Sequence, residues 1–245
     1  MRVRLDLEMT RRGLAESREG AQRLIMAGRV RVNSRPADKP DLKVNAETEI
    51  ALTGGGPEYA SRGGYKLAAA LEHFQIEVNG RRALDVGAST GGFTDVLLQR
   101  GAASVIALDV GYGQLADRLR RDARVSIIDR TNIRRVAPGD LPYTPDLIVI
   151  DTSFISLRLV IPPVIEIAAP TAEIVALVKP QFEVGKGKVG KGGVVRDATL
   201  RASALDAILS FAREIGLEVI GSIESPIHGA AGNIEYLALL RKAPA

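Results

Sequence analysis

The chain has 245 residues, which is enough for one large domain or two unequal ones. Its apolar fraction of 46% is ordinary for a globular protein, and the absence of cysteine excludes disulfides and thiolate metal sites. The net charge of +4 is only mildly basic. The first residues contain no apolar stretch of signal-peptide length, and no apolar run is long enough to cross a bilayer. We therefore expect a soluble, cytoplasmic protein that has no membrane partner.

The N-terminal segment is strongly basic. Residues 1–35 contain nine arginines and four acids, an excess of five positive charges. Such a concentration is typical of a protein that binds a phosphate backbone, and the planar guanidinium suits bidentate contacts to phosphates and bases. The side chains that we expect to make these contacts are Arg2, Arg4, Arg12, Arg18, Arg23, Arg29 and Arg31.

Two short helical patterns and a β segment fill this first part of the chain. Ser17 is expected to cap the second helix, and Gly28 is expected to end it. The sequence TGGGP at 53–57 then interrupts the pattern, as a linker or a sharp turn would. We therefore predict a small N-terminal domain at residues 1–56, a linker at 57–61 and a larger domain at 62–245.

Short apolar runs alternate with helical patterns in the larger domain. Continuous apolar strands separated by helices are typical of a parallel sheet that is covered on both faces, so we predict a doubly wound α/β domain. The expected strands are 83–86, 105–109, 125–128, 147–150, 174–178, 217–222 and 236–240. The helical patterns that lie between them include 92–100, 113–121, 157–167 and 198–215.

A glycine-rich turn, LDVGASTGGFTD, follows the first of these strands. Glycine lets the backbone approach a ligand closely at the carboxyl end of a strand. The spacing of Gly87, Gly91 and Gly92 differs from the dinucleotide pattern G-x-G-x-x-G. Asp85 precedes the first glycine, and its carboxylate would repel a pyrophosphate but attract a sulfonium or amino group. The turn therefore favours S-adenosylmethionine over a nicotinamide cofactor.

Acids also end the next two strands. Asp109 could accept hydrogen bonds from the ribose hydroxyls of an adenosine, and Asp129 could reach the adenine amino group. The alternative is that these acids only favour the helix N-termini that follow the strands. The residues expected to bind the cofactor are Asp85, Gly87, Ala88, Ser89, Thr90, Gly91, Gly92, Phe93, Asp109, Asp129 and Arg130.

Four other ionisable side chains are candidates for catalysis. Asp151 and Lys179 each follow an apolar strand, and Pro180 holds the lysine at the strand end. Lys66 stands at the start of a helix, where the helix dipole disfavours a cation, and Glu235 opens the last strand. Each also has a simpler interpretation, as a polar strand end, a solubilising charge or an edge charge against aggregation.

Longer motifs across the chain resemble one family. These motifs are SRGGYKL, LDVGASTGGFTD, DTSFISL, LVKPQFEVG, GGVVRD and SPIHGAAGNIEYL. They are similar to the TlyA or hemolysin-A-like family, which joins an S4 RNA-binding domain to an FtsJ-like ribosomal RNA methyltransferase domain. The resemblance covers nearly the full chain. It implies a Rossmann-like sheet of seven mostly parallel strands, the last of which is antiparallel, after a small α+β S4 domain.

The resemblance also implies an activity, a cofactor and a partner. It implies S-adenosylmethionine as the methyl donor, and the 2′-hydroxyl of a cytidine in 16S or 23S ribosomal RNA, free or in ribosomal subunits, as the acceptor. The catalytic group that it implies is Lys66, Asp151, Lys179 and Glu235. Glu8 and Thr10 stand where S4 domains tend to carry apolar residues, so we expect the first helix to be loosened or tilted. The oligomeric state and the target nucleotide stay open.

Lys179 is our candidate for the general base or for the group that orients the hydroxyl oxygen. A free lysine titrates near ~10.4, so a basic role needs a lowered pKa. Lys66 and a bound sulfonium would lower this pKa, whereas Asp151 and Glu235 would raise it. The sequence leaves both roles open.

The glycine-rich segment 183–196 predicts a mobile, basic lid that clamps RNA over the site. A merely solvated loop is the alternative. The lysines expected to contact RNA there are Lys186, Lys188 and Lys191.

Three other functions compete with this hypothesis. A membrane-lytic protein is disfavoured because the sequence has no amphipathic spanning segment and no secretion signal. A nicotinamide dehydrogenase is disfavoured by the glycine spacing. A non-catalytic RNA-binding or ribosome-assembly factor is disfavoured because all four candidate catalytic residues are present.

Overall fold

The protein divides into two compact units, Met1–Arg62 and Gly63–Ala245. The computed structural model describes residues 2–15, 17–26, 28–53, 58–185, 187–190, 192–229 and 231–242. Each unit has its own hydrophobic core.

The first unit packs two helices against short antiparallel strands. The helices are α1 (Leu5–Arg11) and α2 (Arg18–Met26). The strands are β1 (Val3–Arg4), β2 (Val30–Val32), β3 (Arg35–Pro36), β4 (Lys43–Val44) and β5 (Ile50–Leu52). Strand β1 pairs with β4, and β2 lies between β3 and β5. As predicted, Ser17 caps α2, because its Oγ accepts a hydrogen bond from the backbone N of Gly20 at 3.0 Å.

Glu8 does not loosen the first helix, so the first of the two alternatives, a loosened or a tilted helix, is wrong. Its side chain is only 3% exposed. Its carboxylate accepts hydrogen bonds from Arg11 at 2.6 and 2.8 Å and from Arg12 at 2.7 Å. Thr10 is satisfied within the same helix, since its Oγ1 donates to the carbonyl oxygen of Asp6. A charge that is paired and hydrogen-bonded in this way can occupy a position that is apolar in related domains.

The second unit is built on a seven-stranded sheet. Its strands are β6 (Arg82–Val86), β7 (Ser104–Leu108), β8 (Val125–Ile128), β9 (Leu147–Ile150), β10 (Glu173–Val178), β11 (Leu217–Glu224) and β12 (Tyr236–Lys242). The strand order is β11-β12-β10-β9-β6-β7-β8. Strand β12 runs antiparallel to β10 and β11, and the pairs from β10 to β8 are parallel. The predicted fold, including its antiparallel last strand, is confirmed.

Helices connect these strands. They are α3 (Gly63–His73), α4 (Gly92–Gln99), α5 (Asp117–Arg120), α6 (Leu157–Ile167), α7 (Pro180–Glu183) and α8 (Ala198–Glu214), with 3₁₀ turns at Ile133–Arg135 and Pro138–Asp140. The helix expected over 113–121 is reduced to the single turn α5. Gly113 has a φ of +65°, and its N–H donates to Asp129 Oδ2, so the chain before α5 follows a loop and not a helix.

The order of the strands creates a crevice. The chain passes from β6 outwards through β7 to β8, and it then returns to add β9 on the other side of β6. In open α/β sheets, ligands bind at such a switch point, outside the carboxyl ends of the strands. Strands β6 and β9 therefore place the glycine turn and Asp151 beside one another.

Candidate active site

A cavity of about 800 Å³ opens at this switch point. Four of its lining residues were predicted from the sequence: Gly87, Ser89, Asp109 and Asp151. Eight polar or aromatic lining residues were missed, namely Gln114, Thr131, Asn132, Arg134, Thr152, Ser153, Phe154 and Ser156. They lie in the segments that follow the carboxyl ends of β7, β8 and β9. The same strand-end argument that found the acids could therefore have found them.

Gly87 is required by a close approach of two strand ends. Its φ is +88°, a conformation that residues with a Cβ rarely adopt. A Cβ at this position would lie 2.7 Å from the carbonyl oxygen of Asp151 and 3.0 Å from its carbonyl carbon. The glycine therefore lets the turn after β6 pack directly against the end of β9, where both form the cavity wall.

Asp109 is held rigidly in the cavity wall. Its Oδ2 accepts a hydrogen bond from the backbone N of Ser89 at 2.8 Å, and its Oδ1 accepts one from the backbone N of Gly111 at 2.6 Å. Each carboxylate oxygen keeps a further lone pair. The side chain is thus pre-oriented to accept hydrogen bonds from a ligand with two neighbouring hydroxyls.

Asp85 lies beneath the glycine turn and does not line the cavity. It is completely buried, and its Oδ2 accepts hydrogen bonds from the backbone N and the Oγ1 of Thr94 at 2.9 and 2.7 Å. Its Oδ1 has no hydrogen-bond partner among the described residues. The carboxylate is therefore not exposed to the cavity, and its contact with a cationic ligand stays a prediction. Asp85 ties β6 to α4, and burial raises the pKa of its carboxyl group to about 7.

This raised pKa makes stability depend on pH. The ordinary pKa is 3.8, so between about pH 4 and 7 the folded protein holds a proton that the unfolded chain has lost. Stability from this group is therefore greatest at acidic pH and is lost as the pH rises through about 7. We expect Asp85→Asn to reduce the difference in unfolding free energy between pH 5 and pH 8 by about 1–3 kcal/mol.

Urea unfolding at both pH values, without added ligand, checks this expectation. Asp206→Asn, on the exposed side of α8, is the matched control and should keep the wild-type pH dependence. If Asp85→Asn also kept it, Asp85 would not be the titrating group.

The other residues predicted to bind the cofactor support the wall from behind or lie beside it. Gly91 has a φ of +94°, and a Cβ there would meet the side chains of Leu115 and Leu119. The guanidinium of Arg130 lies 4.1 Å from the ring centroid of Tyr112. The predicted residues outside the described cavity lining are Asp85, Ala88, Thr90, Gly91, Gly92, Phe93, Asp129 and Arg130.

The four candidate catalytic residues come together as two ion pairs. Lys179 Nζ lies 2.6 Å from Asp151 Oδ1, and Lys66 Nζ lies 2.5 Å from Glu235 Oε2. Both lysines are 8% exposed, and Glu235 is 2% exposed. Of the four, Asp151 lines the cavity. It therefore connects the buried charges to the space where a ligand would bind.

The sheet register explains why these residues meet. Asp151 and Lys179 follow the adjacent parallel strands β9 and β10. Tyr236, the first residue of β12, is the partner of Val178, the last residue of β10. Glu235 therefore lies beside Lys179 at the same edge of the sheet. Lys179 Nζ also donates a hydrogen bond to Ser153 Oγ at 2.9 Å.

A third acid, Glu183, joins the Lys179 turn to the cavity wall. Its two carboxylate oxygens accept hydrogen bonds from Ser156 Oγ at 2.6 Å and from the backbone N of Leu157 at 2.9 Å. Burial raises the pKa of its carboxyl group. Next to this contact, the Phe154 ring lies 5.1 Å from the Phe182 ring. Phe154 has a φ of +61° and is 91% exposed at the cavity.

The arginines of the first unit are not equally available to RNA. Arg12 donates to Glu8 and to the carbonyl oxygens of residues 45, 46 and 48, so it holds its own unit together. That it also binds RNA stays a prediction. Arg4 and Arg18 pair with the buried Asp6, and Arg31 pairs with Glu58. Arg2 and Arg23 are exposed, and Arg29 is partly buried.

Only part of the predicted basic lid, residues 183–196, lies within the described residues. Lys188 is exposed, whereas Lys186 and Lys191 lie outside the described residues. Asn233 anchors the C-terminal part of the segment, because it donates to the carbonyl oxygen of Gly193 and accepts from the backbone N of Val195.

Within the described residues, no helix is both long enough and apolar enough to span a membrane.

The sheet order, the antiparallel last strand and the glycine turn define the class of Rossmann-like methyltransferases. The solved N-methyltransferase NodS from Bradyrhizobium japonicum, in complex with S-adenosyl-L-homocysteine, shares this fold. It is 18% identical with a TM-score of 0.52, and the match covers 73% of this chain and 87% of that chain. The FtsJ-like methyltransferase pattern matches residues 59–242, and the S4 domain pattern matches residues 3–50.

Relatives that match nearly the whole chain identify its family within this class of methyltransferases. The 16S/23S rRNA (cytidine-2′-O)-methyltransferase TlyA of Mycobacterium tuberculosis is 52% identical over 98% of this chain and 90% of its own length. A solved structure from Streptococcus thermophilus, provisionally described as a hemolysin, is 44% identical with a TM-score of 0.76 and covers 99% of this chain and 90% of that chain. This chain belongs to the TlyA family. The predicted family and methyltransferase class are confirmed.

Proposed function

We propose that this chain transfers the methyl group of S-adenosylmethionine to the 2′-hydroxyl of a ribose in ribosomal RNA, at cytidines of the 16S or 23S molecule or both. The observation that carries the proposal is the pair of buried ion pairs, Lys179–Asp151 and Lys66–Glu235, beside the cavity at the switch point. The name of the TlyA relative supports the choice of nucleotide and of ribosomal RNA.

The cavity fits an adenosyl ligand with a charged tail. Gly87 leaves room for close approach to the turn, and the fixed carboxylate of Asp109 can accept hydrogen bonds from two ribose hydroxyls. Asp151 adds a negative charge to the wall beside Gly87. When bound, S-adenosylmethionine supplies a methyl group that is activated by its sulfonium.

Lys179 is proposed to orient the accepting hydroxyl. An ammonium that is paired with Asp151 has its own protons to donate, so Lys179 can hold the ribose oxygen in line with the methyl group. As the oxygen takes the methyl group and S-adenosylhomocysteine leaves, the carboxylate of Asp151 in the cavity wall would accept the hydroxyl proton. Ser153 and Asp151 both contact Nζ and fix its position. Lys66 and Glu235 complete a group of two cations and two anions whose formal charges balance.

The exposed aromatic ring of Phe154 supports nucleic acid as the substrate. Aromatic faces stack on bases, and a target nucleotide must leave its own stack to enter a pocket. In the RNA-binding domain that we propose for residues 1–56, the exposed Arg2 and Arg23 are suited to phosphate contacts.

A non-catalytic RNA-binding factor is less consistent with the site. Burying a charge is costly even when it is paired, and here two lysines and one glutamate are at least nine-tenths buried beside a cavity. A protein that only bound RNA through its first unit would gain nothing from this cost.

The test is methyl transfer to ribosomal subunits taken from cells that lack this protein. Purified protein and labelled S-adenosylmethionine are incubated with each subunit, and the modified nucleoside is identified by mass spectrometry. The proposal predicts 2′-O-methylcytidine. A methyl group on a base, or no transfer to either subunit or to naked ribosomal RNA, would refute it.

A further inference from the structure

The carboxylate of Glu235 is enclosed by the protein itself. Its Oε2 accepts from Lys66 Nζ, and its Oε1 accepts a hydrogen bond from Gln181 Nε2 at 3.1 Å. The backbone of Gly229 covers the same group: a Cβ there would contact Oε1 and would lie 2.9 Å from Cδ. A substrate oxygen has no room at this carboxylate, so Glu235 can act only through the residues that surround it.

Gln181 connects the two ion pairs. It lies two residues after Lys179 in the single-turn helix α7, and Pro180 between them restricts the backbone. The Lys179 side chain pairs with Asp151, whereas the Gln181 side chain reaches Glu235, which directly precedes β12. The distance between Lys66 and Lys179 therefore depends on the turn α7 and on the side-chain amide of Gln181.

The carbonyl oxygen of the Gln181 amide suggests that this side chain has a role in function as well as in packing. Gln181 Oε1 is buried without a hydrogen-bond partner among the described residues. Leaving a buried acceptor unsatisfied destabilises the fold, and an apolar side chain of similar size would avoid this cost. Such costs are expected where a polar group serves function. The amide also adds a donor without adding charge to the balanced group of two lysines and two acids.

We propose that Gln181 and Gly229 are positioning residues for methyl transfer: Gln181 holds the Lys66–Glu235 pair against the turn that carries Lys179, and Gly229 closes the cage around the carboxylate. This inference rests on the proposed function. It assigns Glu235 a role through Lys66 and Gln181 and not through substrate contact.

Single-turnover methyl transfer to ribosomal subunits tests Gln181. Gln181→Met keeps the size of the side chain and removes the donor, so the rate constant should fall by about 10–100-fold, the loss expected from a small misplacement of reacting groups. The dissociation constant for S-adenosylmethionine and the melting temperature should stay near wild type. In Gln99→Met, the control, a similar amide contact of 3.1 Å to Asp95 is removed away from the site, and the rate should be unchanged.

A double-mutant cycle separates positioning from a general structural effect. If Gln181 acts through Glu235, Gln181→Met should have little further effect in a Glu235→Gln background. Independent, multiplying effects, or a wild-type rate for Gln181→Met, would overturn the proposal. Gly229→Ala should reproduce the rate loss of Gln181→Met, whereas Gly139→Ala, with no atom within 4 Å of its added Cβ, should not. If the wild-type protein itself transferred no methyl group, the proposed function would fail instead.

Discussion

Methyl transfer is expected to fall by at least about 10³-fold when Lys179 is replaced by methionine, since orientation and proton handling of the nucleophile are both lost. Lys179 Nζ is held by Asp151 and Ser153 at the end of β10, and methionine keeps an unbranched side chain of nearly the same length without its donors. The affinity for S-adenosylmethionine should change less than about threefold, because Lys179 is not among the described residues of the cavity wall.

Single-turnover rates check the loss of methyl transfer, and calorimetric titration of the same protein checks its affinity for S-adenosylmethionine. Lys179→Arg is an informative companion, because it keeps the charge but carries a planar guanidinium that cannot occupy the place of a compact ammonium. We expect Lys179→Arg to be nearly as inactive as Lys179→Met. A Lys179→Met protein with wild-type activity would remove Lys179 from the mechanism.

Gly87→Ala is expected to weaken binding of S-adenosylmethionine by at least about 100-fold, because the clash must move a wall of the cavity. The added Cβ would lie 2.7 Å from the Asp151 carbonyl oxygen, so the turn after β6 or the end of β9 has to shift. The positive φ of +88° adds a conformational cost of about 1–3 kcal/mol to the folded state.

Gly216→Ala separates the effect of the steric clash from the effect of the positive φ. Gly216 has a φ of +86°, but no atom lies within 4 Å of its added Cβ. Both variants should lose thermal stability, and only Gly87→Ala should lose affinity for the cofactor in a calorimetric titration. Equal affinities for the two variants would show that the contact between Gly87 and Asp151 does not shape the site.

The sheet could be predicted because its strands are buried on both faces. Runs such as Leu147–Ile150 are continuously apolar, and the structure keeps this whole run buried. The ends of these strands located Asp109, Asp151 and Lys179 at one edge. The enclosure of Glu235 was not predictable, because it depends on how the loop before β12 folds Gly229 back onto the carboxylate and on Gln181, which comes from another part of the chain.

The direction in which a side chain points was harder to predict than the position of its residue in the fold. Asp85 was placed correctly near the carboxyl end of β6, but no pattern in the sequence shows that its side chain points beneath the following turn towards Thr94. In the first unit, counting charges overstated the free positive surface. Asp6 and Glu8 are buried and engage arginines that the count treated as available.

Calorimetric titration of the purified protein with S-adenosylmethionine, with and without ribosomal subunits, tests most directly whether this cavity holds the methyl donor beside Lys179. We predict saturable binding of one donor molecule per chain, no binding of a nicotinamide dinucleotide, and loss of donor binding in Gly87→Ala. Absence of donor binding in the wild-type protein, even with ribosomal subunits present, would contradict the account.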